Sequence, residues 1–289
     1  MLELSLPSMR FLSVVLRHYM VADLIAPAPH FVLNTAASAS YTNFRSQQRA
    51  GKRMQNRYVG DIGDFAKYSL LNALSAHNKL GVAWYLYPDE EHNDDGRHTA
   101  YLDDIDTWRH RAPSVFDGLR EVVNGGFRNV ESVVKNRVLT VDAIACEILS
   151  TKLKSVSERA HWRAQWFERV KRRLSGCDLV FADPDNGLCL DSRFGFGIRK
   201  DWKRLPLSEA QVLAEGRTAI VYHHNSRFKG GHAKENMYWM EKLGCCSFAV
   251  RFRAYSARTF FVLNATNSHT DAAINWADRM GEKAEIVFE

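Results

Sequence analysis

The sequence predicts an α/β fold, a mostly parallel sheet with helices on both faces and an antiparallel strand pair at the C-terminal end. Three observations carry this expectation. Short β-rich runs alternate with segments of helical period from Met54 onward. Polar clusters follow the β-rich runs directly, as they do where buried strands leave a parallel sheet. At 289 residues the chain is long enough to bury a full core.

Taken in order, Phe65 to Ala76 carries Phe65, Leu70, Leu71 and Leu74 on one helical stripe. Gly81 to Tyr87 (GVAWYLY) reads as a buried strand ending at Pro88. Trp108 to Val123 and Asn129 to Val134 have a helical or mixed texture, and Thr140 to Leu149 suits a short strand or a helix equally. Arg159 to Leu174 is a basic amphipathic helix bearing Trp162, Trp166, Phe167 and Val170. Cys177 to Ala182 is a second buried strand, Leu207 to Glu215 a helix, Thr218 to Tyr222 a third strand and Ala233 to Leu243 a helix. Phe248 to Phe252 and Thr259 to Leu263 read as the closing antiparallel pair, joined by a polar turn around Ser256. There is no internal repeat.

The segment before Met54 has a different texture. Its first stretch is mildly apolar but interrupted by Arg10, Arg17, His18 and Asp23, which makes a poor signal peptide. A polar run from Asn34 to Arg53 follows and reads as linker or disorder. The expected organisation is a poorly ordered or non-native extension over 1–53 and a single α/β catalytic domain over 54–289.

Composition narrows the class. No apolar run is long enough to cross a bilayer, so no membrane partner is expected. Five cysteines without zinc-ligand spacing indicate reduced thiols in a cytoplasmic protein. A net charge of +6 tilts the protein toward polyanionic partners, nucleic acid in particular.

Four polar constellations carry candidate chemistry. Gly60, Asp61, Asp64 and Lys67 sit where a helix begins; Asp64 reads as its cap, and the glycine permits close approach to a ligand. After the first strand come Asp89, His92, Asn93, Gly96 and Arg97, in a loop with five acids and two histidines. Such groups serve as general acids and bases or as metal ligands, although no zinc spacing occurs and the metal stays open. After the second strand, Asp183-Pro184-Asp185-Asn186-Gly187 places two carboxylates and an amide on a turn stiffened by proline. After the third strand, His223, His224, Ser226, Arg227 and His232 combine imidazoles, a hydroxyl and a cation, which suits an anionic substrate or a flipped base. The plainer reading of the first three is a helix cap, a solvated acidic loop and a type I turn; for the fourth, a single buried histidine would be unremarkable, but three in ten residues after a strand are less so. Asp183, Asp185, Asn186, His223 and His224 are the expected catalytic residues; the others would bind substrate or cofactor. Basic and aromatic residues interleave again over Arg159–Arg173 and Arg251–Arg258, where phosphate contact is one reading and a solvated face the other.

The first three constellations resemble those of bacterial large-subunit ribosomal RNA adenine-N6 methyltransferases. The resemblance runs over about 58–222 and rests on Gly60…Asp64…Lys67-Tyr68, on Asp89…Gly96-Arg97-His98 and on Asp183-Pro184. It implies a Rossmann-like fold, S-adenosylmethionine as cofactor near Asp64 and Lys67, and Asp183 with the Pro184 carbonyl holding the target amino group. The chain departs from the family where Asp185 and Asn186 replace a proline and an aromatic, and where acids fill the glycine-rich cofactor loop. Asp183-Pro184 with His223…Ser226…His232 also looks like the motifs of uracil-DNA-glycosylase-type enzymes. That implies base excision without a cofactor, as would suit an enzyme directed at modified phage DNA. A metal-dependent nuclease is the third expectation. All three require the loops of Asp89, Asp183 and His223 to open onto one pocket.

Overall fold

A computed structural model describes residues 58–288, apart from 87–95, 97, 148, 150–154 and 196–198. The described residues fall within one compact unit, Thr35–Glu289. The expected N-terminal extension lies outside them, as do Asp89, His92, Asn93 and Arg97.

In chain order the elements are α1 (Ile62–Leu74), β1 (Leu80–Trp84), α2 (Ile105–Trp108), α3 (Pro113–Asn124), α4 (Val130–Lys135), β2 (Ala143–Ala145), α5 (Val156–Arg173), β3 (Leu179–Asp183), β4 (Leu188–Cys189), β5 (Leu205–Pro206), α6 (Leu207–Leu213), β6 (Thr218–His224), α7 (Gly231–Leu243), β7 (Cys246–Ala254), β8 (Ser256–Leu263), α8 (Asn267–Met280) and β9 (Ala284–Val287). Seven strands form one sheet in the order β2-β1-β3-β6-β8-β7-β9. The first four are parallel; β8, β7 and β9 are joined antiparallel. The expected pair is therefore a three-stranded antiparallel edge, with β9 added beyond β7. The undecided 140–149 stretch resolves as the short edge strand β2. Sequence reading had no counterpart for α8, whose threonine N-cap and buried Ala273, Trp276 and Met280 make it an ordinary amphipathic helix.

The pleat sorts the core into two layers. Leu80, Val82 and Trp84 of β1 and Leu179 and Phe181 of β3 pack with α1, α3, α4 and α8. Ala83, Val180, Ala182 and Val221 pack with α5, α6 and α7 on the other face. In α5, the Trp-rich stripe expected from periodicity is internal, and its arginines are partly structural. Arg163 is buried and forks onto Glu209 with two bonds of 2.9 Å, while its remaining donors reach the Trp202 and Arg204 carbonyls. Arg169 pairs with Glu147 at 2.7 Å. Phosphate contact by Arg163 is thereby excluded.

Numbered by sequence, the parallel strands run 2-1-3-4 along the sheet, so the direction of winding reverses between β1 and β3. A crevice opens beyond the carboxyl ends of strands at such a reversal, where the two flanking connections leave on opposite faces. No helix among the described residues is long and apolar enough to cross a membrane.

Candidate active site at the sheet reversal

A cavity of about 490 Å³ occupies that crevice. Its walls come from the head of α1, the ends of β1, β3 and β6, and the start of β8. Asp61, Asp64, Lys67, Gly96, Asp183, Asp185, Asn186 and His224 all line it. Residues expected from four separate stretches of sequence are thus brought together.

The α1 side is organised by a cap. Asp61, not Asp64, is the N-cap: its carboxylate accepts from the Gly63 amide at 3.0 Å and from the His98 amide at 3.1 Å, and Ile62 N–H donates to the His98 carbonyl at 3.0 Å. A cap of this kind contributes about 1 kcal/mol, and here it also fixes His98 at the cavity wall. Gly96 is held by Arg128, which donates to the Gly96 and Val59 carbonyls at 2.6 Å each.

Asp64 instead lies inside the first turn, buried, and accepts from Gly60 N–H, Tyr68 Oη and Lys67 Nζ at 3.3, 3.2 and 3.1 Å. The same Lys67 ammonium reaches Asp183 Oδ2 at 2.8 Å. Lys67 therefore stands between two carboxylates and over the Tyr222 ring, 5.3 Å from its centroid. Burial works against its charge, but Asp183 and Asp64 outweigh burial and hold its pKa well above that of ordinary lysine. A permanently protonated Lys67 is an electrostatic support and not a nucleophile. Burial likewise raises the phenols of Tyr68 and Tyr222, which stay neutral donors.

The β3 end bears Asp183 as its last strand residue and then turns through Asp185 and Asn186. That turn is clamped from two directions. Lys203 pairs with Asp185 at 3.0 Å, its carbonyl accepts from Asn186 N–H at 3.0 Å, and the β4–β5 bridge follows at once. From the far side of the sheet, His223 Nδ1 accepts from Leu188 N–H at 3.1 Å. Gly187 makes this approach feasible: its φ is +67°, and a Cβ there would lie 2.4 Å from His223 Nδ1.

His223, expected among the catalytic residues, does not line the cavity. It is buried against Glu235 on the α7 face, with Nε2 3.2 Å from Oε1, so the ring proton sits on Nε2. Ser226 joins the same knot, donating from its amide at 3.0 Å and its hydroxyl at 2.6 Å to Glu235. Burial opposes the Glu235 charge, but bonds from His223, Ser226 and Asn225 prevail and hold its pKa down at about 2. Arg227 is exposed and His232 packs beside Arg251 at 3.4 Å; neither lines the cavity. The single pocket expected for Asp89, Asp183 and His223 is therefore realised with Asp183 and with His224 in place of His223, Asp89 falling outside the described residues.

Several lining residues were not singled out from sequence. Trp84, Tyr85 and Leu86 supply the apolar wall, and Tyr222 and Lys203 supply polar groups. Arg258, which closes the basic stretch Arg251–Arg258 where phosphate contact is one reading, also lines the cavity, since alternation along β8 puts it on the same face as Phe260 and Val262. Nothing local marks Lys203. Among the described residues, no group of three or more His, Cys, Asp or Glu side chains is placed to hold a metal ion. A scan against protein-family models and a search of curated proteins return no match to this chain.

Proposed function

We propose that this protein is a nucleic-acid base-modifying enzyme of Rossmann-like fold that transfers a methyl group to an exocyclic amine. The observation that carries this reading is Asp183, a carboxylate paired with Lys67 at 2.8 Å, at a strand end beside Asn186 in a cavity at the sheet reversal. Such a carboxylate accepts a hydrogen bond from an amino group and favours the positive charge that grows on its nitrogen as it attacks. Asn186 adds an amide able to read a base edge. The cavity is of the size that small-molecule sites occupy, about 300–1,000 Å³.

The residues present fit S-adenosylmethionine. Trp84, Leu86 and Val130 would pack its adenosyl part, and the carboxylates facing the cavity would favour its positive charges. When bound, that cofactor supplies an electrophilic methyl group. The protein's own contribution is orientation: Asp183 aims the amine, Lys203 and His223 hold the turn that carries Asp185 and Asn186, and Lys67 fixes the Asp183 carboxylate in place.

One observation favours a second reading, excision of the base by hydrolysis of its glycosidic bond. His224 lines the same cavity as Asp183. An imidazole opposite a carboxylate suits a departing base and a held water. The nuclease reading draws no comparable support from the described residues.

Calorimetry with S-adenosylmethionine, together with nucleoside mass spectrometry and an abasic-site assay on phage-derived and ordinary DNA, decides between them. Micromolar binding and a base heavier by one methyl group is the expected outcome. No binding, with alkali-labile strand breaks, replaces methyl transfer by base excision. Neither result on DNA or RNA removes both readings.

A further inference from the structure

Of the lysines and arginine lining the cavity, all but one are paired with a carboxylate. Lys67 is shared by Asp64 and Asp183, and Lys203 is taken by Asp185. Arg258 is 4 % exposed, yet no ion pair involves it among the described residues, and its Nε and Nη1 have no hydrogen-bond partner. Only Nη2 is engaged, donating to Ser256 Oγ at 2.6 Å. A buried cation with two idle donors is costly unless something completes it. The guanidinium packs closely against the head of α1, where a Cβ on Gly63 would come within 2.6 Å of Nη1.

The turn that precedes Arg258 has a second unusual feature. Tyr255 is held at φ +62° and is 62 % exposed. The left-handed region is disfavoured for a bulky side chain and persists where the surroundings impose it. Its ring stacks on His98 with centroids 4.7 Å apart and planes at 26°, and His98 lines the cavity. The β7–β8 hairpin thus presents an aromatic face at the rim and, three residues later, an unsatisfied guanidinium inside.

We propose that this hairpin tip grips one nucleotide unit of a nucleic-acid strand. Arg258 takes a phosphate oxygen through a charge-assisted hydrogen bond from its unpaired guanidinium. The His98–Tyr255 stack receives a neighbouring base. The inference rests on the nucleic-acid reading above. A free carboxylate, such as that of S-adenosylmethionine, would share the chemistry at Arg258 but would leave the exposed Tyr255 face without a role.

The test titrates a fluorescently labelled short single-stranded DNA of mixed sequence, and the matching RNA, into wild type, Arg258→Met, Arg258→Lys and Tyr255→Ala at several salt concentrations. Calorimetry with S-adenosylmethionine runs in parallel. Arg258→Met is expected to weaken strand binding about ten-fold and to lower the salt slope by about one. Its melting temperature should hold or rise, since an unpaired buried charge has been removed. Tyr255→Ala should weaken binding at least five-fold with the slope unchanged. Arg258→Lys should keep the slope and lose part of the affinity. Unchanged strand binding in Arg258→Met overturns the inference, as does a loss confined to S-adenosylmethionine, or no strand binding by wild type. Should Arg258→Met fail to fold, wild-type strand binding in both Arg258→Lys and Tyr255→Ala overturns it equally. Arg258-dependent strand binding without any base change supports the grip and removes the methyl-transfer reading. Base modification with Arg258-independent binding does the reverse.

Discussion

Two neighbouring histidines at the end of β6 divide the molecule into contrasting halves. His223 points to the α7 face, where Glu235, Asn225, Ser226, Asn236 and Thr259 form a closed knot. Asn225 Nδ2 donates to Glu235 and Asn236 at 3.1 Å each, and Thr259 Oγ1 lies 2.9 Å from both the Asn225 and Asn236 oxygens. His224 points to the α1 face, into a cavity where paired charges surround an unsatisfied arginine. Both regions are rich in polar and ionisable groups. They differ in how charge is met: apart from Asn236 Nδ2, the knot spends its donors and acceptors internally and stabilises, whereas the cavity holds a cation without a carboxylate.

The largest effect that would break this contrast is on rate. Asp183→Asn should lower the rate of base modification, read by nucleoside mass spectrometry, by about a hundred- to a thousand-fold. Its melting temperature should stay within a few degrees, because Asp64 still pairs Lys67. A variant that unfolds with its loss of rate would put Asp183 on the structural side instead.

Glu235→Gln should behave oppositely, costing about 3 kcal/mol of stability at neutral pH in chemical denaturation. The sign follows from the depressed carboxyl. Its pKa falls from an ordinary 4.5 to about 2 on folding, so the stabilisation is whole above 4.5 and is lost as pH drops toward 2. Wild type should therefore lose this stability across that acid window while the glutamine variant does not. Parallel acid profiles for the two proteins would refute the account of the knot.

The smallest effect concerns the link between the halves. Gly187→Ala would strain a φ of +67° and push His223 away from Leu188. A cost of about 1–3 kcal/mol is expected, with a fall in rate of about ten-fold as the Asp185–Asn186 turn shifts. Differential scanning fluorimetry and the same mass-spectrometric rate check both. A stability loss with unchanged rate would mean that the knot does not position the turn.

Much of the scaffold was legible because its signals are local. β-Rich runs such as Cys177–Ala182 end in polar turns, and the amphipathic stripe of α5 starts at a Ser155–Glu158 capping box. Asp183 could be picked out because a buried run ends on it. Errors arose one step beyond local reach. Asp61 and Asp64 are both acceptable caps by type, and only the point where the helix starts, Ile62, selects Asp61. His223 and His224 differ by one position in a period of two, so the pleat assigns one to each face. The sequence places imidazoles at this strand end but does not state the phase.

By itself, the sequence determined the alternation of strands and helices and the acidic turn after β3. These depend on backbone propensity and on burial patterns a few residues long. Only the tertiary structure decided which charges are spent and which remain. Lys67 meets Asp183 across 116 residues of chain, Lys203 meets Asp185 by way of a two-residue bridge, and Arg258 meets neither acid. Pairing of this kind is fixed by strand order and register, which bring distant side chains to one sheet edge.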